Sequence, residues 1–181
     1  QHIIIHQNSE YNDLYLTTKT DCYKNAEYKQ SIFNFSDSFV RNHHYTVLQE
    51  NSSVANHEGV FFLKDINKTE NKTYVKHNSD NCKSDQIYKG VLSGKSKATY
   101  LSNTFVEKHA QKTEGYQLSK GILLSDEATF FSKPELRIYA DDVKCSHGST
   151  SGNVDQDAIH YLMTRGLDKK ESTKLLINGF L

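Results

Sequence analysis

Cys145 and His147, two positions apart in the stretch IYADDVKCSHGSTSG, are the residues of this sequence best suited to chemistry. Thiolate and imidazole are the donors that iron, iron–sulfur clusters and zinc prefer. Along an extended strand, residues i and i+2 share a face about 7 Å apart, so both side chains can approach one ion. Parity bears on this. Leu136, Ile138 and Ala140 alternate on one face, whereas Val143 and Cys145 have the opposite parity, so the phase slips at Asp141-Asp142. A bulge or corner there returns Val143, Cys145 and His147 to a common face. Two donors do not complete a site, because structural zinc takes four ligands and catalytic zinc three. No CxxC and no second close Cys/His pair occurs. Any site here is therefore transient or shared with another subunit. A lone cysteine also packs as a small hydrophobe, and the residues alone leave both readings open.

The other candidates are weaker. His43 and His44 are adjacent, so on a strand they point to opposite faces, and they read as solvated polar positions. Asp141 and Asp142 diverge in the same way, whereas the two carboxyls of a glycosidase converge across one bond. Turn formation suits them better. GVLSGKSKA, around Lys95, lacks the spacing of a phosphate loop: GxxxxGK[ST] needs a glycine at position 89, where Lys89 stands. Nucleotide hydrolysis by this chain is not expected. With no GxSxG elbow and no HExxH motif, nothing points to a self-contained enzyme. Cys22 has no motif around it.

An almost entirely extended chain must position these residues. From Gln1 to about Val143, runs such as HIIIHQ, SIFNFS, GVFFLK, ATYLSNTFV, ATFF and ELRIYA alternate with polar clusters, the pattern of separate strands. Helical periodicity is absent over this length. The region lacks Asn-Gly, Asp-Gly and Pro-Gly turns, and the whole chain has one proline and nine glycines, so the connections read as polar corners. Such corners suit a β-solenoid of stacked rungs. A sandwich stays open, because no sequence repeat is visible. After Gly152 the pattern changes. Asn153 with Gln156 reads as a capping box, and Ala158, Ile159, Leu162 and Met163 then share a helical face up to Gly166. Asp168 with Glu171 repeats the box, and Leu175, Leu176, Gly179 and Phe180 form the apolar face of a second helix. The expected division is an all-β core over 1–152 and a helical segment over 153–181. The helix pair is expected either to cap the open end of a solenoid or to offer a groove to a partner helix.

At 181 residues the chain is long enough to bury one core. Its 36% apolar content is low, yet 11% aromatic content argues against disorder. A thin core under much polar surface is expected. The 22 basic and 22 acidic residues balance and no basic stripe alternates with aromatics, which removes the electrostatic footprint of a nucleic-acid binder. No apolar run approaches the roughly 20 residues of a spanning helix, so no membrane role is expected. Cys22, Cys82 and Cys145 are odd in number and widely spaced; they suit a reducing compartment better than a disulfide framework. The chain opens in what reads as a strand and is expected to be a piece of a longer protein.

KPELRIYADDVKCSHGSTSG, followed by DQDAIHYLMTRGLDKKESTKLLINGF, closely resembles the C-terminal part of the SufD branch of the SufB/SufD family of iron–sulfur cluster assembly scaffolds. NCKSDQIYKGVLSGKSKATY and EKHAQKTEGYQLSKGILLSDEA resemble the same family's core, so the likeness is strong over residues 74–181. It implies a right-handed parallel β-helix followed by C-terminal helices, with an N-terminal helical region ahead of Gln1. It also implies a non-catalytic scaffold subunit that pairs with a SufB-like subunit through the β-helix edges. A SufC-like ATPase would bind the C-terminal helices, with Tyr161, Leu162, Arg165, Leu167 and Leu175 as the expected contacts, and nucleotide would belong to that ATPase. Cys145 and His147 match family positions at the junction with SufB that are implicated in forming the nascent cluster. The resemblance thus makes them transient, shared ligands of an iron–sulfur cluster. A homodimer is the alternative association, and cytoplasm, or plastid stroma in a plastid-bearing source, is the expected location. The competing functional reading is a β-solenoid that binds or cleaves carbohydrate, which the absence of tryptophan disfavours.

Overall fold

The polar clusters between apolar runs are corners, and a recurring left-handed residue sets them. Asn25, Ser52, Asn81 and Lys112 have φ between 56° and 61°. Each donates its backbone N–H to a carbonyl in the next turn of chain, those of Asn51, Asp80, Gln111 and Asp142 respectively. Corner therefore stacks on corner. In the computed structural model, which describes residues 1–7 and 13–181, the chain forms a parallel β-solenoid of about five turns followed by two helices. Strands β1 (His2–His6), β3 (Glu27–Asn34), β5 (Val54–Leu63), β7 (Lys83–Leu92), β9 (Thr113–Leu123) and β11 (Val143–Asn153) make one sheet in that order. Strands β2 (Leu14–Cys22), β4 (Val40–Leu48), β6 (Lys68–His77), β8 (Lys97–Val106) and β10 (Thr129–Ile138) make the other. Every pairing is parallel, which settles solenoid against sandwich. ATFF and ELRIYA, read as two strands, are one: β10 runs straight through Pro134. It is the outermost strand of its sheet, where the missing N–H of proline is tolerated.

Alternation places one side of each strand inside. Phe61, Leu63, Tyr88, Leu92, Ala98, Tyr100, Ala128 and Phe130 form one buried cluster, and Cys22, Leu48, Ala55, Val75 and Cys82 another. Cys22 and Cys82 therefore pack among apolar residues. Polarity lies inside as well as outside, which the expected division into thin core and polar surface did not include. Gln30, Asn34, Asn42, Asn71, Thr73, Gln86 and Thr104 are all buried. They bond across rungs, as buried polar groups must: Asn42 Nδ2 donates to Asn71 Oδ1 at 3.0 Å and Asn34 Nδ2 to Thr69 Oγ1 at 3.1 Å. This corrects the reading of His43-His44 as solvated. His43 faces outward and meets Glu70 at 2.9 Å, whereas His44 is only 1% exposed, on the inward side of β4.

The helices are α1 (Gln156–Thr164) and α2 (Lys169–Phe180). The N-cap of α1 is Asp155, not Asn153, and its carboxylate accepts from the Asp157 and Ala158 N–H groups. The reason is that β11 runs on through Asn153. Gly166, at φ 97°, follows the end of α1 in the left-handed position that glycine fills without strain. At α2 the expected box forms: Asp168 accepts from the Glu171 N–H at 2.7 Å, and the Glu171 carboxylate accepts from the Asp168 N–H at 3.1 Å. Asp168→Ala should cost about 1 kcal/mol, so amide exchange in the first turn of α2 should accelerate about fivefold. Unchanged exchange would show that packing alone holds the helix start. The apolar faces are only partly covered, since Ile159 is the one buried residue of α1 and Leu175 of α2 is 51% exposed. Nor does the pair cap the end of the solenoid. α2 lies against the flank of the six-stranded sheet, where Ile177 shares a pocket with Phe35, Phe62 and Leu124. Lys89 Nζ donates to the Phe180 and Leu181 carbonyls at 2.7 and 3.2 Å.

Candidate functional site

The phase slip at Asp141-Asp142 is a change of sheet. These two residues form the corner between β10 and β11, and both are exposed. The Lys112 N–H bonds the Asp142 carbonyl at 2.6 Å, and the Asp142 N–H bonds Gln111 Oε1 at 2.9 Å. Val143, Cys145 and His147 then share the face of β11 whose register partners, Thr113, Gly115 and Gln117, are inside. Among the described residues β11 is the last strand of its sheet, with β9 on one side and a free edge on the other. From Ser146 to Asn153 its residues are exposed except for the half-buried Gly148. The two donors thus sit at the open end of the solenoid, Cys145 half-buried and His147 exposed.

The rung beneath shapes the pair. A Cβ at position 115 would lie 3.3 Å from Cys145 Sγ, 3.4 Å from Thr104 Cγ2 and 3.6 Å from Ser84 Oγ. Glycine therefore makes the room in which the sulfur turns inward. Burial pushes the Cys145 thiol up from its ordinary value, against a backbone hydrogen bond with Gly115. The raised value favours the protonated thiol at neutral pH, so a cation binding there would have to displace that proton. Gln117, under His147, is 3% exposed; its amide donates to Thr104 Oγ1 at 2.8 Å and to the Glu135 carbonyl at 3.2 Å. No motif marks Gly115 or Gln117. A glycine inside a strand pattern is a weak signal of close approach, and the Gln117 placement depends on register alone. Among the described residues no three His, Cys, Asp or Glu side chains gather as a metal site. Cys145 and His147 are two side chains on one face of β11, short of the ligand count of a closed metal site.

Of the five residues expected to meet an ATPase, Tyr161 and Arg165 come together at the C-terminal end of α1. Arg165 Nη2 lies 3.3 Å from the Tyr161 hydroxyl and its guanidinium 5.2 Å from the ring centroid, and both residues are exposed. Leu162 and Leu167 are half-buried and meet at the end of α1, where the Leu167 N–H reaches the Leu162 carbonyl at 3.4 Å. Leu175 stands on α2, exposed.

The model of one protein family covers nearly all of this architecture: the SufBD core domain of SUF-system FeS cluster assembly matches residues 1–180. The chain belongs to the SufB/SufD family. Among SufB/SufD relatives, the iron–sulfur cluster assembly protein SufD of Escherichia coli is 38% identical over 109 residues, which are 60% of this chain and 26% of that protein. A SufBD family protein of Synechocystis is 38% identical over 96 residues, 53% of this chain and 21% of the relative. The chloroplastic protein ABCI7 of Arabidopsis thaliana is 38% identical over 98 residues, 54% of this chain and 21% of the relative. The chain thus spans about a quarter or less of these SufB/SufD relatives. Family membership favours iron–sulfur cluster assembly over the carbohydrate reading. Among the described residues no helix is long and apolar enough to cross a membrane.

Proposed function

We propose that this chain is a non-catalytic scaffold in which Cys145 and His147 lend two ligands to a nascent iron–sulfur cluster that a SufB-like subunit completes. The observation that carries the reading is an incomplete donor pair on an uncovered edge strand. β10 and β11 each keep a free edge, and the unpaired N–H and C=O groups of an edge are a template for a strand of another chain. A SufB-like partner docked there meets Cys145 and His147 at the seam. The cluster is cargo, and a scaffold that must release it is better served by few ligands divided between subunits than by a closed four-cysteine site.

The half-open helix pair suits the second contact. Tyr161, Leu162, Arg165, Leu167 and Leu175 take a SufC-like ATPase, which binds and hydrolyses the nucleotide. Movement of α1 and α2 is transmitted to the seam and opens it. A second copy of this chain on the same edge is the competing association. Cytoplasm or plastid stroma is the location this reading assigns.

Anaerobic reconstitution with SufB-like and SufC-like subunits tests the proposal. Cys145→Ser and His147→Ala, in complexes whose assembly is verified by size-exclusion chromatography, should lower bound iron and sulfide about tenfold or more. Residues that merely support a metal ligand already command that range. Unchanged iron, sulfide and visible absorption in both variants would move the chemistry wholly to the partner.

A further inference from the structure

Beneath the open end lies a buried acceptor with no donor. Among the described residues Gln117 Oε1 has no hydrogen-bond partner, although the residue is 3% exposed. The orientation of its amide is fixed by chemistry. One neighbour, the Glu135 carbonyl, only accepts, so the nitrogen must be the atom that faces it, at 3.2 Å. The same nitrogen donates to Thr104 Oγ1 at 2.8 Å, and that hydroxyl also receives Gln86 Nε2 at 2.8 Å. Gln86 in turn bonds Thr73, whose hydroxyl is 3.0 Å from that of Tyr100. A chain of side-chain bonds therefore runs through the solenoid, holds the Gln117 amide in one orientation and ends on an unused oxygen. Buried acceptors are seldom left that way in folded proteins.

The donor best placed to use it is on the last strand. His147 is the register partner of Gln117 and shares its face, about 4.8 Å away from backbone to backbone. The inward neighbours along β11 are Cys145, above Gly115, and Ser149, above Ser119. Ser119 Oγ already has a partner in Ser132 Oγ at 2.6 Å. Imidazole is the group whose second nitrogen is ordinarily set by such a contact, because a ring N–H given to a carbonyl fixes which nitrogen keeps its lone pair.

We propose that Gln117 is a positioning residue: when the exposed His147 ring turns down onto it, Oε1 accepts one ring N–H, which fixes the tautomer and turns the other nitrogen toward the open end as the ligand atom. This rests on the reading of His147 as a cluster ligand for its purpose, but not for its test. Nitrogen-15 spectra of the full chain labelled at histidine, at about pH 8 where imidazole is neutral, report the tautomer directly. Loss of one ring signal in His147→Gln assigns it. The wild type should show a single tautomer at His147, and Gln117→Met, close in shape but without the acceptor, should show both tautomers averaging. Cobalt(II), added alone as the probe, should bind Gln117→Met about tenfold more weakly than wild type. Averaged tautomers at His147 in the wild type would overturn the proposal whether or not the variants fold, and so would an unchanged His147 signal in folded Gln117→Met. No cluster or partner enters the measurement, so a failure of cluster assembly in Cys145→Ser or its survival there leaves this result standing.

Discussion

Acidification from pH 7 to pH 5 should destabilise the solenoid by about 2 kcal/mol for each of three buried histidines. Burial holds His44 down to about 3 and His57 and His77 down to about 4, from an ordinary 6.5; neighbouring histidines, His57 first, push His44 further in the same direction. The sign follows from proton counting. The unfolded chain takes up protons at these rings below about pH 6.5, while the folded chain refuses them until its depressed values are reached. Stability is therefore complete above about 6.5 and is lost as the pH falls from there toward 4. Carboxylates act later. Glu114 and Glu135, bonded to Lys83 and Arg137, are held below the ordinary 4.5, so their contribution also falls with acid but below the window of the histidines. Urea unfolding at pH 7, 6 and 5 should show a steep loss, with a slope near three protons taken up. His44→Leu should remove about one of them and tolerate acid better, since among the described residues neither ring nitrogen of His44 has a partner and an apolar side chain of similar bulk leaves no buried donor unpaired. Equal stability at pH 7 and pH 5 would mean that water reaches these rings in the folded state.

The same histidines show where reading residues stops short. Period-two alternation survives in segments such as ATYLSNTFV, which is β8, and it locates strands because β-branched and aromatic residues suit a half-buried pleat. Parity also required that one of His43 and His44 face inward. Composition argued for solvent at both, because nothing in a sequence says that an interior is itself polar and supplies Gln30 and Thr46 to His57. The repeat was hidden for a different reason. Asn25, Ser52, Asn81 and Lys112 hold one backbone conformation at equivalent corners with three residue types, so the equivalence is conformational. Rung length drifts too, with β3, β5, β7, β9 and β11 starting at Glu27, Val54, Lys83, Thr113 and Val143. At the site, parity alone brought Cys145 and His147 to one face. Their floor, Gly115 and Gln117, comes from the preceding rung, and a register of that kind is set by the stacked corners rather than by any local pattern.

Gly90→Val should be the most damaging single apolar substitution in the interior. Rung on rung, aromatic rings lie against glycine: Tyr88 is the register partner of Gly59, and Phe61 of Gly90. A Cβ built at position 90 would fall 2.0 Å from Phe61 Cε2, and one at position 59 would fall 2.2 Å from Tyr88 Cε1. No rotamer of valine relieves a clash that begins at Cβ. Either Phe61 leaves its place among Tyr88, Tyr100 and Phe130 or the two strands separate, and overpacking of this kind costs typically 1–3 kcal/mol and occasionally more. At about 3 kcal/mol the melting temperature falls by roughly 10 °C for a domain of this size. Gly152 is the control, because nothing lies within 4 Å of a Cβ there, so Gly152→Ala should melt as wild type does. The clash predicts its own remedy. Phe61→Leu shortens the ring that blocks position 90, so Gly90→Ala should cost less in the Phe61→Leu background than in wild type, a coupling that distant sites do not show. If the two costs simply add, the ring and the glycine are not in contact, and the register of β5 on β7 rests on the stacked corners and the backbone ladder alone.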